Sequence, residues 1–151
     1  MRPTLQLPGF VIALLSIVYC STSVAAEPAG TVKTLFGQVI ALRASQALPL
    51  KVGDTLMTMD KITVPANASI GFTLRDDTLI SLGPNSTFVL NNHQFNPVTH
   101  EGNVDTSLLK GTMRYVTGLV GRLNPGAIKI DTPNSTIGIR GTELIVEVEG
   151  E

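Results

Sequence analysis

The sequence contains little of what most catalytic and metal sites are built from. Among 151 residues there are one cysteine, two histidines and no tryptophan, and aromatic residues make up only 5%. The cysteine, Cys20, lies in an amino-terminal apolar segment. If that segment is removed, the rest of the chain has no thiol for disulfides, nucleophilic catalysis or metal binding. Glycine (14 residues) and proline (9 residues) are frequent, which is typical of short strands joined by turns.

Charge is also scarce, at 15% of residues, and nearly balanced. The formal net charge is −1, and it becomes more negative without Arg2, the only charged residue in the segment 1–26. There is no general basic excess, which argues against nucleic acid as a partner. The segment 106–130 is a local exception because it contains four basic residues and no acidic one. It is either a solvated face or a surface for an acidic partner or an anionic lipid surface.

Residues 1–26 have the pattern of a cleavable signal peptide. Arg2 gives a positive start, and the run 10–19 is apolar but too short to cross a bilayer, which takes about 20 residues. Small residues follow this apolar run, and they fit cleavage after Ala26 or after Ala25. An uncleaved anchor is the alternative. Tyr19 precedes Cys20, so lipidation is not expected. We predict a periplasmic domain, residues 27–151, without stable membrane insertion after cleavage.

Turn signals divide that domain into short segments. They recur about every 8–13 residues, as in a sandwich, barrel or roll. The signals are Gly53-Asp54, Pro65-Ala66-Asn67, Asp76-Asp77, Gly83-Pro84-Asn85, Asn91-Asn92, Asn96-Pro97, Asn124-Pro125-Gly126 and Pro133-Asn134. We therefore predict a single compact all-β domain of short strands. A sandwich or roll and a β-solenoid of short parallel rungs both remain open.

Alternating apolar and polar residues indicate several of the strands. The alternation is clean over 70–74 and returns at 88–90 and 128–130. Over 144–148 the apolar residues lie on one face of the strand and the glutamates on the other, where Ile145 is the exception. A terminal strand with such a row is typical of a solvated sheet edge, protected against pairing with another chain.

Two segments are less regular. The segment 31–43 is apolar on both faces, and Gly37 in its middle predicts a bend or bulge. The segment 107–123 has apolar residues at helical spacing but contains three glycines, each of which costs a helix about 1 kcal/mol relative to alanine. There we predict a strand over 112–117, followed by a bend or short helical turn.

The chain shows no signature of a catalytic, metal or cofactor site. His93 and His100 lie in the most polar segment, seven residues apart, and we expect both in an exposed loop. Asp76 and Asp77 are explained as turn residues, since calcium would need further oxygen ligands. Motifs of serine hydrolases, zinc proteases and phosphate-binding loops are absent. We expect no catalytic residues, no metal and no cofactor.

The most distinctive segment is 132–143. Pro133 predicts a turn, and Gly138 and Gly141 predict close backbone approach or a positive φ. Arg140 lies between these glycines. It either pairs with Glu143 or braces a neighbouring turn, or it binds a carboxylate of a partner or ligand.

Several features, in this order along the chain, resemble the FecR-type domain. They are Gly53-Asp54, the run 68–90 (ASIGFTLRDDTLISLGPNSTFVL), Lys110-Gly111, Thr132-Pro133 and the run 137–143 (IGIRGTE). The resemblance spans roughly residues 31–149; Asp77 stands where the family has a turn glycine. The positions that it marks as structural are Gly53, Asp54, Gly83, Pro84, Ser86, Gly111, Pro133, Gly138, Gly141 and Thr142.

The resemblance implies an all-β periplasmic domain. In the best-known relatives this domain belongs to an iron-transport signalling protein that receives a signal from an outer-membrane receptor and controls a cytoplasmic sigma factor. This sequence shows no sigma-binding segment, internal membrane helix or additional receptor-contacting domain, so the sigma-regulating role does not carry over.

What carries over is a non-catalytic protein-interaction or sensory module with an envelope or inner-membrane protein as its partner. Its candidate contact residues are Lys110, Arg114, Arg122 and Arg140. A periplasmic glycan or small-ligand binder is the alternative, although glycan sites usually present stacking aromatics, which are few here. An envelope enzyme is the third hypothesis.

Overall fold

The computed structural model describes residues 28–150, and the predicted signal peptide lies outside them. The described residues form an all-β fold, as predicted. In chain order the strands are β1 Pro28–Phe36, β2 Ile40–Arg43, β3 Gln46–Pro49, β4 Thr55–Met57, β5 Lys61–Val64, β6 Ser69–Leu74, β7 Leu79–Leu82, β8 Ser86–Phe95, β9 Gly102–Val116, β10 Ile128–Thr132, β11 Ser135–Gly138 and β12 Glu143–Val148. A short helix α1, Leu119–Leu123, and a 3-10 turn, Pro125–Ala127, follow β9.

These strands form one curled sheet. Its main path runs β3-β2-β5-β8-β9-β7-β6-β1-β4, with β10 and β12 also paired to β9 and β11 paired to β10. Every pairing is antiparallel except that of β9 with β10. The fold is therefore a rolled sheet and not a stack of parallel rungs. No helix among residues 28–150 is long and apolar enough to cross a membrane.

Strand β9 connects the two halves of the roll. Its first half pairs with β8 and β10, and its second half pairs with β7 and β12. The predicted strand over 112–117 was therefore too short. Between Leu108 and Lys110 the register with β8 shifts, but the strand continues. The predicted helical turn after it is confirmed as α1.

The bend predicted at Gly37 is confirmed. Strand β1 ends at Phe36 and β2 begins at Ile40, and Gly37 between them has a φ of +75°. A Cβ at Gly37 would lie 2.6 Å from the carbonyl oxygen of Asn67. Glycine is therefore required there by both its backbone conformation and its neighbour.

The predicted inward-facing rows form the core. The apolar positions of 70–74, 88–90 and 128–130 are buried. Phe72 of β6 and Phe88 of β8 meet across the roll, with ring centroids 5.7 Å apart. Burial of each such side chain contributes about 1.5–3 kcal/mol, so this core holds the two halves of the sheet together.

The predicted terminal edge strand is also confirmed. Among the described residues β12 pairs only with β9. Its glutamates are exposed, and Ile145 lies among them with 65% of its surface accessible.

Candidate functional site

The prediction that His93 lies in an exposed loop was wrong. Asn91 and Asn92, taken as a turn, lie within β8 and form an irregularity in its pairing with β9. The hairpin then continues through polar residues, so His93 occupies an inward-facing position and its side chain is fully buried. His100 is exposed in the hairpin loop, as predicted, and its ring stacks on Phe95 at a centroid distance of 6.2 Å.

The buried partner of His93 is Asp76. The Nε2 atom of His93 lies 3.3 Å from Oδ1 of Asp76, whose side chain is also fully buried. Asp76 further accepts hydrogen bonds from the backbone N–H (3.3 Å) and hydroxyl (2.8 Å) of Thr78. Burial is the largest single influence on Asp76 and raises its pKa, but the hydrogen bonds from His93 and Thr78 together outweigh it and lower the pKa.

The prediction that Asp76 and Asp77 are both explained as turn residues is therefore complete only for Asp77. Asp77 has a φ of +64° and is the turn residue, whereas Asp76 turns inward. Tyr115 of β9 is also buried, and burial raises the pKa of its hydroxyl. We call Asp76, Thr78, His93 and Tyr115 the buried polar cluster. It lies where both halves of the roll and α1 meet.

Gly118, whose role is not evident from the sequence pattern, connects this cluster to α1. The N–H of Gly118 donates to the Thr78 hydroxyl at 3.1 Å, and the N–H of Leu119 donates to the carbonyl of Asp76 at 2.7 Å. A Cβ at Gly118 would lie 2.2 Å from that same carbonyl oxygen. The only signal in the sequence was a glycine between two apolar runs, which does not by itself indicate this contact.

Three of the four candidate contact residues surround the end of β9. Arg114 lies on β9 and Arg122 on α1, with Nε of Arg122 donating to the carbonyl of Thr117 at 3.2 Å. The loop 139–142, which carries Arg140, is held to Thr117 by two hydrogen bonds. The N–H of Thr117 donates to the Thr142 carbonyl (2.9 Å), and its hydroxyl donates to the Gly141 carbonyl (3.0 Å). We call Arg114, Arg122 and Arg140 the arginine group.

Lys110 is separate from the arginine group. It lies at the other end of the second half of β9, where its side chain packs against Gly150.

The partner of Glu143 is Arg114, so the suggested pair of Arg140 with Glu143 was wrong. The Nε of Arg114 lies 2.6 Å from Oε1 of Glu143, with both side chains about half exposed. The register of β12 on β9 places the two residues on the same outer face of the sheet. The pair raises the pKa of Arg114 and lowers that of Glu143. Arg140 is exposed.

Several family-like structural positions meet at one point. The N–H of Gly83 donates to the carbonyl of Thr112 (2.9 Å), and the N–H of Thr112 donates to the Ser86 hydroxyl (3.0 Å). Gly111 has a φ of +90°, and a Cβ there would lie 2.3 Å from Oγ of Ser86. Gly83, Ser86 and Gly111 therefore form one packed junction beside the irregularity in β9.

The other structural positions are turns, with one correction. Gly53 has a φ of +93°, and Asp54 accepts from the N–H of Lys51 at 2.8 Å. Pro84 lies between β7 and β8, and Pro133 lies between β10 and β11. Gly138 and Gly141 were expected to need close approach or a positive φ. Neither does, because nothing lies within 4 Å of a Cβ at either position and neither φ is left-handed.

One comparison with known proteins gives a match. The family model described as FecR protein matches residues 60–151, more than half of the chain. The chain belongs to the FecR protein family. No curated protein and no solved structure matches it. The matched region contains the whole buried polar cluster, the junction of Gly83, Ser86 and Gly111, and the arginine group. Family membership indicates a signalling-related, regulatory protein.

The family match begins at Asp60, a fully buried carboxylate of this FecR family protein. The guanidinium of Arg43 binds it with two hydrogen bonds, from Nε to Oδ1 (2.8 Å) and from Nη2 to Oδ2 (2.7 Å). The N–H of Met57 donates to the same carboxylate at 2.8 Å. The pair connects the end of β2 to the start of β5 and is structural.

Two adjoining cavities of about 560 Å³ each flank Glu101 and Gly102 at the tip of the β8–β9 hairpin. No sequence pattern indicates these cavities, because their walls come from separate elements. One is lined by Arg75, Gln94, Phe95, Asn96, Glu101, Gly102 and Asn103. Within residues 28–150 there is no group of three or more His, Cys, Asp and Glu residues that could hold a metal ion.

Proposed function

We propose that this FecR family protein is a non-catalytic module of the cell envelope that binds another protein as the sensory or interaction part of a signalling system. The arginine group carries this proposal. Its three arginines lie on β9, on α1 and in the loop 139–142, and both α1 and this loop are hydrogen-bonded to Thr117, directly after β9. Guanidinium groups bind carboxylates in a fixed geometry, and arginine is enriched at protein interfaces.

The burial of the histidine–carboxylate pair supports a non-catalytic role. A general base must come within hydrogen-bonding distance of its substrate. His93 and Asp76 are both fully buried, so no substrate reaches them without unfolding of the hairpin. Their contacts are those of a buried structural pair.

The place of action in this proposal is the periplasm. Residues 1–26 have the pattern of a cleavable export signal, and the rest of the chain has a slight negative net charge, which is unsuited to nucleic acid. A partner in the envelope or the inner membrane with an acidic surface complements the arginine group. The module itself remains outside the bilayer after cleavage.

Crosslinking in the periplasm tests the proposal. The full chain with a carboxyl-terminal tag is expressed, crosslinked in intact cells and purified under denaturing conditions, and the captured proteins are identified by mass spectrometry. We expect one dominant envelope or inner-membrane protein, whose recovery falls when Arg114 and Arg122 are changed to glutamate. Recovery of the monomer alone, or of diffuse envelope material, would contradict the interaction role.

Of the two cavities at the hairpin tip, the one lined by Arg75 and Asn103 favours a second candidate function, a glycan or small-ligand binder. Its volume is within the range of ligand sites, which is about 300–1,000 Å³. Its amide, guanidinium and carboxylate groups suit a ligand rich in hydroxyl and amide groups. Soluble peptidoglycan fragments should then raise the melting temperature in proportion to their concentration. Replacement of Asn103 with leucine should abolish that shift.

A further inference from the structure

Strand β12 presents a row of backbone groups that no other described strand uses. The hydrogen bond from Thr117 N–H to the Thr142 carbonyl fixes the phase of its ladder with β9. In an antiparallel pair, successive residues direct their backbone N–H and C=O groups alternately toward and away from the partner strand. Thr142 bonds toward β9, so residues 144, 146 and 148 do so as well. The N–H and C=O groups of Glu143, Ile145 and Glu147 therefore point away from β9, along the free edge.

The side chains at those three positions form an exposed row. Ile145 is 65% accessible, and it lies between Glu143 and Glu147. The carboxylate of Glu143 is held by Arg114 at 2.6 Å. The carboxylate of Glu147 is free of ion pairs among residues 28–150. The row is thus acidic at both ends and apolar in the middle.

A groove lies beside β12. Val146, Glu147 and Val148 line it together with Glu149, Ile137 of β11 and the turn between β10 and β11, and its volume is about 450 Å³. Val146 is buried and Val148 is half-buried. A strand added beside β12 would place alternate side chains over this groove, since successive residues of a strand point to opposite faces.

We infer that β12 accepts an extended segment of a partner protein as an additional strand, with apolar residues over the groove and a basic–apolar–basic row opposite Glu143, Ile145 and Glu147. Opposite charges across neighbouring strands stabilise the pairing. The glutamate row protects this edge against a second copy of β12, because antiparallel pairing centred on Ile145 sets Glu143 opposite Glu147. It does not oppose a strand that carries basic residues at those two positions. The inference rests on the proposed role in protein interaction but does not depend on the arginine group.

A designed peptide tests the edge directly. The probe is the capped peptide Thr-Lys-Val-Ile-Val-Lys-Thr, and its control replaces both lysines with glutamate. Binding to the purified protein is followed by fluorescence anisotropy, and its site is located from the backbone amide shifts of β12. Because two charge pairs change sign, we expect the lysine peptide to bind at least about tenfold more tightly. Equal binding of the two peptides, or shifts confined to other strands, would overturn the inference.

Two variants of β12 test the same edge from the protein side. Ile145→Pro removes an N–H that points outward, so the ladder with β9 is retained, and Ile145→Thr is its control. Glu147→Lys reverses the charge, and Glu101→Lys at the hairpin tip is its control. We expect Ile145→Pro and Glu147→Lys each to weaken lysine-peptide binding by about fivefold or more. Unchanged binding in a folded Glu147→Lys variant would overturn the inference, even if Ile145→Pro does not fold.

Two further results separate this inference from the proposed function. If periplasmic crosslinking captures the same partner equally with wild-type protein and Glu147→Lys, the edge inference fails and the interaction role stands. If peptide binding depends on Glu147 but no partner is captured, the edge is supported and the interaction role fails. A wild-type dimer in sedimentation that Glu147→Lys alters would assign the edge to a second copy and overturn the inference.

Discussion

The imidazole of His93 and the carboxylate of Asp76 lie 3.3 Å apart, and both side chains are completely buried. Asp76 belongs to the turn between β6 and β7, and His93 belongs to β8, so the pair joins elements from the two halves of the roll. Thr78 and the N–H groups at the start of α1 complete the junction. A buried pair of this kind stabilises the fold only as long as both partners are present.

Replacement of Asp76 with asparagine should destabilise the protein strongly. The change removes the charge that faces His93 and leaves a buried group without its partner, at a cost of about 2–4 kcal/mol. Asp77→Asn is the matched control. It lies next in sequence at a φ of +64°, a conformation that asparagine tolerates, and should have little effect. Urea unfolding of the three proteins gives the comparison; equal stability of the two variants would contradict the role of the pair.

The same carboxylate should make stability depend on acid pH. The pKa of Asp76 in the folded protein is below its ordinary value of 3.8. Its contribution is therefore fully present above about pH 4, and it is lost as the pH falls through 3.8 towards the folded pKa. The unfolding free energy measured between pH 7 and pH 2.5 should fall more steeply for wild type than for Asp76→Asn. Parallel curves for the two proteins would show that Asp76 contributes nothing to acid unfolding.

Gly111→Ala should be more harmful than Gly53→Ala. Both glycines have a φ near +90°, so each substitution incurs backbone strain of about 1–2 kcal/mol. A Cβ at Gly111 also meets Ser86, at 2.3 Å from Oγ and 2.5 Å from Cα, whereas nothing lies within 4 Å at Gly53. Thermal unfolding should therefore show the lower melting temperature for Gly111→Ala. The reverse order would mean that the junction with Ser86 is not tightly packed.

The double change of Arg114 and Arg122 to glutamate should reduce partner capture without unfolding the protein. Arg114 is exposed and its pair with Glu143 is a surface ion pair, a type that contributes little to stability. Lys61→Glu is the control, since it makes the same kind of charge reversal at an exposed position on β5, which β8 separates from β9. Crosslinking yield is measured beside the unfolding curve of each variant. Equal capture by all three proteins would remove the arginine group from the interface.

The exported protein should begin at Glu27. Intact-mass measurement of the chain from the periplasm gives the cleavage site directly, and a start at Ala26 would indicate cleavage one residue earlier. Ala26→Arg should block cleavage after residue 26, because the signal peptidase requires a small residue there. Recovery of the full-length chain in the membrane fraction from the unmodified sequence would instead support an uncleaved anchor.

Sequence patterns were reliable where a residue's role depends on its near neighbours. The inward rows at 70–74, 88–90 and 128–130, the bend at Gly37 and the acidic edge at β12 all follow from local alternation or from glycine. The sequence patterns gave a wrong prediction in the hairpin of β8 and β9. There Asn91, Asn92 and His93 look like a loop, yet pairing with β9 continues through them. Strand pairing satisfies polar backbone groups whatever side chains the strand carries, so polarity alone did not indicate its end.

For the candidate sites too, local features were predicted from the sequence and long-range contacts were not. The sequence by itself determined an all-β domain of the FecR family, its turns, and a set of basic residues without acidic neighbours. Only the tertiary structure decided that Arg114, Arg122 and Arg140 gather around Thr117, that Arg114 rather than Arg140 pairs with Glu143, and that Asp76 meets His93. Local propensity and periodicity act over a few residues, whereas the contact of Asp76 with His93 and that of Arg114 with Glu143 join positions 17 and 29 residues apart. The register of β9 with its four neighbouring strands sets them.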